Sequence, residues 1–159
     1  MTLASLNAAS ASDAEAAMLS CCGSRSFASA MAGGRPYGSP DVLLAAVSSV
    51  FATLTWDDVL EAMRCHPRIG ERAAGQSAAE QSGVTDASRA ALAAANRAYE
   101  ERFGYVFLIC AAGLSGEQIL ARLRERLAHD LGAERAVARA ELFQITVQRA
   151  GRLAAGGAA

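Results

Sequence analysis

Lysine is absent from this 159-residue chain: all 15 basic residues are arginine, set against 16 acidic ones for a net charge of −1. Without a surplus of positive charge, the electrostatic drive that dominates nucleic-acid binding is missing, and no nucleic-acid partner is expected. Histidine is nearly absent too, with only His66 and His129, and the four cysteines (Cys21, Cys22, Cys65 and Cys110) form no C-x-x-C pair. That leaves no metal-ligand spacing, so no metal site is expected. Reduced, mostly buried thiols in a cytoplasmic setting fit better than a disulfide framework. No apolar stretch approaches the ~20 residues that a membrane span needs. The N-terminus also lacks a basic segment followed by an apolar run, so neither a membrane partner nor an export signal is expected.

What remains is a composition that favours helix. Alanine fills 38 positions, and hydrophobic residues make up 52% of the chain against 19% charged. That is a globular profile, too apolar for disorder. Alanine and arginine are both strong helix formers. A chain of this length suits one domain and buries roughly 70% of its unfolded surface. Residues 1–159 are therefore read as a single domain, with a frayed tail at 154–159.

Start and stop signals divide the chain further. Ser10 or Ser12 caps a helix over 13–21 that Gly23 closes, and a short helix over 26–32 ends at Gly33-Gly34-Arg35-Pro36. Ser39-Pro40 opens a third helix to about Leu54. Thr55 caps a fourth, which stops near Arg64 because Pro67 drives His66 out of the α region. The stretch 69–83 carries Gly70, Gly75 and Gly83 and reads as a long loop, a kind of element that is usually functional. Helices over 86–102, 117–130 (ended by Gly132) and 133–153 follow. The apolar run 103–110 is undecided between helix and strand. The expected fold is all-α, an irregular helical bundle of about seven to nine helices.

A few polar residues stand out against this background. His66 lies at a helix exit between Cys65 and Pro67. A histidine there is usually a surface group, but Pro67 also fixes an extended backbone that can aim the imidazole into a pocket. A side chain that titrates near ~6.5 is suited to acid or base work. His129, near a helix end beside Asp130, is explained by the helix dipole alone. Arg149 falls on one helical stripe with Ala138, Leu142, Ile145 and Leu153, so it points along the apolar face. It is either a snorkelling rim residue or an inward guanidinium awaiting an anion. Ser77, Glu80 and Gln81 put several hydrogen-bonding groups within one helical turn, although a Ser-x-x-Glu spacing is more often a capping box. Asn96, Arg97 and Tyr99–Arg102 read mostly as an exposed face of ion pairs.

The ordered set of motifs is more specific than any member. His66-Pro67-Arg68-Ile69-Gly70-Glu71, Ser77-x-x-Glu80-Gln81, Asn96-x-x-Tyr99-x-x-Arg102-Phe103-Gly104, Phe107-Leu108-Ile109-Cys110-Ala111 and a terminal Gln144-Ile145-Thr146 helix together resemble the OHCU decarboxylases. These act on 2-oxo-4-hydroxy-4-carboxy-5-ureidoimidazoline at the end of the urate-to-allantoin route. Cys22-Gly23-Ser24 and Arg35-Pro36-Tyr37 resemble that family's N-terminal half, so the likeness covers nearly the whole chain.

The resemblance implies an all-α, often dimeric enzyme that uses no metal or organic cofactor and binds a small ureidoimidazoline. It implies a catalytic His66 with Glu80 beside it, and substrate contacts from Pro67, Ser77, Glu80, Gln81 and Arg149. Backbone groups of Ile109, Cys110, Ala111, Ala112 and Gly113 are then expected to hold the ring. Two other classes are weighed against it. One is a catalytically silent helical binding module. The other is a thiol enzyme pairing Cys65 or Cys110 with His66, which is disfavoured because sequence neighbours rarely point the same way and an apolar run disfavours thiolate.

Overall fold

Short polar caps decide where most of the helices begin. The structure, a computed structural model, describes residues 1–70 and 86–156 and contains helices but no strand among them. The helices are α1 (Leu3–Ala8), α2 (Ala11–Cys22), α3 (Arg25–Gly33), α4 (Pro40–Thr53), α5 (Trp56–Arg64), α6 (Asp86–Phe103), α7 (Gly116–Arg126) and α8 (Leu131–Ala154). Ser10, Ser24, Ser39 and Ser115 each accept a backbone N–H three residues on, and Pro40 takes the first turn of α4, where its missing N–H costs nothing. Thr55 and Asp58 cap α5 reciprocally at 3.3 and 2.8 Å. Gly23 closes α2 with φ 88°, in the left-handed region that a side chain resists.

Contacts divide the chain into two compact units, residues 1–62 with 143–159 and residues 63–142. In the first, Leu6, Met18, Phe27, Met31, Leu43 and Val47 are fully buried. Arg35 ends α1 by donating from Nη1 to the carbonyls of Leu6 (2.7 Å) and Ala9 (2.8 Å), adding to the Ala9 N–H that the Leu6 carbonyl accepts at 3.3 Å. In the second, Ile69, Leu92, Tyr99, Phe103, Phe107, Ile109, Ile119 and Leu123 form one apolar cluster. Tyr99 sits at its centre, with the Phe103, Tyr105 and Phe107 ring centroids 4.7, 5.9 and 5.2 Å away.

Five details depart from the sequence reading. Thr2 forms a capping box with Ser5 and starts a helix, α1, ahead of the one expected first. The helix expected over 117–130 ends at Arg126, and Gly132 lies inside α8 rather than stopping anything. The reason is Asp130, whose carboxylate accepts the N–H of Ala133 at 2.8 Å and so starts the next helix before the glycine can act. His129 is accordingly on the turn between α7 and α8, not in a last helical turn. Finally, Asn96 and Tyr99 are not surface residues: they are 3% and 0% exposed, and with Ser88, Leu92 and Phe103 they mark the buried stripe of α6. The apolar run after Phe103 is neither helix nor strand but an irregular segment.

Candidate active site

His66 stands two residues past the end of α5, where its N–H still bonds the Met63 carbonyl at 3.0 Å. It is 8% exposed, and its Nε2 atom is buried. The chain that follows is held to α6 at three successive residues. Arg68 makes a two-pronged ion pair with Glu100, at 2.5 and 2.9 Å. The Ile69 carbonyl accepts from Asn96 Nδ2 at 2.8 Å, and the Gly70 carbonyl accepts from Arg89 Nη1 at 2.6 Å. Positions 89, 96 and 100 lie on one side of a helix by steps of seven and four, so a single helical face fixes the His66–Gly70 exit. Gly70 suits glycine because its φ is +89°, in the left-handed region that a side chain resists. The Arg68 guanidinium keeps the Glu100 carboxyl below the usual range, chiefly by hydrogen bonding.

The backbone from Phe107 to Leu114 is the second part of the site. The Leu108 carbonyl accepts from Arg126 Nη1 at 2.7 Å, and the Cys110 N–H donates to Glu141 Oε2 at 2.8 Å. A turn then closes from the Leu114 N–H to the Ala111 carbonyl at 3.0 Å, with Gly113 at φ +81°. Ile109 and Ala111 are buried, whereas Ala112 and Gly113 face outward. Ile109 and Cys110 also line a cavity of about 270 Å³, together with Arg122, Arg126, His129 and Glu141. His66 is not among the residues that line it.

Arg126 belongs to a buried polar group. With Glu134 fully buried and Arg126 nearly so, the two pair at 2.6 Å through Nη2 and 2.9 Å through Nε. Tyr99 O–H donates a short bond to the same Glu134 oxygen, and His129 Nδ1 lies 2.8 Å from the other. The guanidinium also stacks 4.5 Å from the Phe107 ring centroid. Burial, and then the bond to Glu134, push the Tyr99 hydroxyl well above its ordinary value, so it is a donor and not a base. His129 is structural, as its sequence position suggests, but through this carboxylate rather than a helix dipole.

Arg149 lies in the other unit, 7% exposed, on the stripe shared with Ile145 and Leu153. Its Nη1 is 3.4 Å from the Ser20 carbonyl. Helical phase therefore placed its side chain correctly. All four cysteines are free thiols, with Cys21 and Cys22 buried, Cys110 half-buried and Cys65 exposed. Cys65 and His66 therefore differ sharply in exposure, which removes the support for a Cys65–His66 pair. Ser77, Glu80 and Gln81 lie outside the described residues. Sequence reasoning missed Asn96, Glu100, Arg126, Glu134 and Glu141. The four-and-three spacing of Ser88, Leu92, Asn96, Tyr99 and Phe103 carried a signal for Asn96; the Arg126–Glu134 pair, formed across a turn, carried none.

Fold and site define a class first: an all-helical protein whose charged side chains grip two irregular segments, one bearing a buried imidazole and the other a turn of outward-facing backbone. Comparison with known proteins narrows it. The family model described as OHCU decarboxylase matches residues 7–151. The chain is 34% identical over 145 residues to the uric acid degradation bifunctional protein TTL of Arabidopsis thaliana, covering 84% of this chain but only 45% of that protein. It is 34% identical over 129 residues to the 2-oxo-4-hydroxy-4-carboxy-5-ureidoimidazoline decarboxylase of Amia calva, covering 74% of each. Among solved structures, a crystal structure of OHCU decarboxylase in the presence of (S)-allantoin superposes with a TM-score of 0.78 at 30% identity, covering 86% of this chain and 96% of that one. The chain belongs to the OHCU decarboxylase family.

Proposed function

We propose that this chain is a carboxy-lyase that converts 2-oxo-4-hydroxy-4-carboxy-5-ureidoimidazoline to (S)-allantoin and CO2 in urate degradation. The observation that carries the reading is the match over residues 7–151, together with the likeness to a decarboxylase crystallised with (S)-allantoin. The bond from the ring carbon to the carboxylate breaks, and its electron pair passes into the adjacent C=N. The resulting enol then takes a proton at the neighbouring ring carbon, the one that bears the ureido group, while the hydroxyl gives up its proton and becomes the allantoin carbonyl.

The chain's own residues supply orientation and the proton. His66, at a rigid and largely buried helix exit, polarises the substrate hydroxyl or delivers the proton to one face, which makes one enantiomer. Glu80 and Gln81 hydrogen-bond the ureido and ring N–H groups, with Ser77 and Pro67 beside them. Arg149 and the backbone of Ile109–Gly113 take carboxylate and carbonyl oxygens. What supports these roles is the position of each residue in the family's motifs, with the burial of His66 and Arg149. A single functional domain over 1–159 is part of the reading, supported by the uninterrupted family match. So is a homodimer, on the family resemblance, and a cytoplasmic setting, which four free thiols suit.

The test is turnover of freshly generated substrate, followed by circular dichroism as optically active allantoin accumulates. Wild-type protein should outpace the spontaneous reaction and give one enantiomer. His66→Ala should lose about 10²–10⁴-fold in rate while staying folded. A flat wild-type trace would reject the enzyme in favour of a silent binding module.

A further inference from the structure

Two charged side chains grip the peptide units on either side of Ile109. Arg126 holds the carbonyl end of the Leu108–Ile109 unit at 2.7 Å, and Glu141 holds the N–H end of the Ile109–Cys110 unit at 2.8 Å. A trans peptide is planar, and its C=O and N–H point in opposite directions. Fixing the Leu108 carbonyl therefore also aims the Ile109 N–H away from Arg126. Fixing the Cys110 N–H aims the Ile109 carbonyl away from Glu141. The result is a donor and an acceptor from one residue, oriented by groups that bind from behind.

The grips are themselves immobilised. Arg126 is locked by Glu134 through Nε and Nη2, which leaves Nη1 for Leu108, and its plane rests on the Phe107 ring at 4.5 Å. Glu134 is fully buried, and Tyr99 and His129 complete its hydrogen bonds. Such a pair is an expensive way to stabilise a core, since apolar residues of like volume often do as well or better. It is, however, a precise way to hold one carbonyl.

We infer that Arg126 and Glu141 are positioning residues, which present the Ile109 N–H and carbonyl as a matched pair to the N–H and C=O edge of a cyclic ureide. This rests on the proposed function, in which the Ile109–Gly113 backbone holds the ring. Neither residue touches substrate in this assignment. Because the matched pair binds the ring in the ground state and the transition state alike, its misalignment raises KM more than it lowers kcat.

The experiment compares Glu141→Ala, Glu141→Gln and Arg126→Lys with wild type, measuring kcat, KM and the affinity for (S)-allantoin by calorimetry. Glu141→Ala should raise KM and weaken allantoin binding by about tenfold, with kcat per folded molecule within about threefold. Glu141→Gln retains an acceptor for the Cys110 N–H and should restore both. Arg126→Lys has a single ammonium, which cannot serve Glu134 and Leu108 in the fork geometry, and should behave like Glu141→Ala. If Arg126→Lys fails to fold, the half-buried Glu141 decides the matter. Unchanged KM and allantoin affinity in Glu141→Ala, with only the melting temperature lowered, would overturn the inference and leave the decarboxylase intact. A wild-type protein that neither turns over substrate nor binds allantoin would overturn both.

Discussion

Asn96 donates from Nδ2 to the carbonyl oxygen of Ile69 at 2.8 Å, tying the buried face of α6 to the residue three places after His66. The bond lies between the Arg68–Glu100 ion pair on one side and the hydrogen bond from Arg89 to the Gly70 carbonyl on the other. Of the three it is the most thoroughly removed from water, and so the one whose loss costs most.

Asn96→Ala should therefore leave a buried carbonyl unsatisfied and lower stability by about 1–3 kcal/mol. The same substitution releases the His66 exit, so kcat/KM should fall at temperatures where the variant is still fully folded. Denaturant titration and steady-state turnover on one preparation separate the two effects. A stability loss with unchanged turnover would confine Asn96 to the core.

Breaking the Arg126–Glu134 pair should be far more damaging than replacing it. Glu134→Ala strands a buried guanidinium and should cost about 3–5 kcal/mol. The double variant Arg126→Met, Glu134→Leu should recover much of that stability, since it buries neither charge. It should not recover substrate affinity, because the Leu108 carbonyl has lost its anchor. Chemical unfolding of both variants, with allantoin binding to the double variant, reads each outcome.

Acid should loosen both units through their surface carboxylates. Glu100 and Glu61 have folded pKa values below the ordinary range, through hydrogen bonds from Arg68 and Arg25 respectively. A depressed carboxyl stabilises the fold above the unfolded value near ~4.3, and that contribution is lost as pH falls through the folded value. Denaturant midpoints should thus hold steady above about pH 5 and decline below it. Glu100→Gln should flatten part of the decline. Both pairs are partly exposed, so added salt should shrink the effect.

Thiol labelling should follow burial. Cys65, exposed at the end of α5, should react first with a neutral alkylating reagent, and Cys110 more slowly. Cys21 and Cys22 should stay protected until the chain unfolds, since both are buried and burial pushes the Cys21 thiol up to about 11. Mass spectrometry after timed quenching gives the order. Alkylation of Cys65 alone should leave turnover intact, as expected if the reaction uses no thiol.

Much of the helical plan was legible because it is written locally. Ser39-Pro40, Thr55 and Gly23 act within a turn of themselves, and α4, α5 and the end of α2 fall where those residues place them. The same locality explains a failure. Gly132 signals a stop in isolation, but Asp130 bonds the Ala133 N–H first, and two adjacent local signals compete in a way that composition does not rank. Tyr99 and Asn96 were misread because their polar neighbours resemble a solvated face, and only the packing of Leu92, Phe103 and Phe107 around them reveals a core.

By itself, then, the sequence determined the all-helical class, the family and the inward phase of Arg149, since caps, ordered motifs and a 3.6-residue period are properties of short stretches. Tertiary structure alone decided that Asn96 holds the Ile69 carbonyl, that Glu134 is the partner of Arg126, and that Glu141 reaches the Cys110 N–H across 31 residues. Such pairings link residues that are distant in sequence. A carboxylate or an amide does not reveal its partner until the chain has closed around it and removed the water that would otherwise serve.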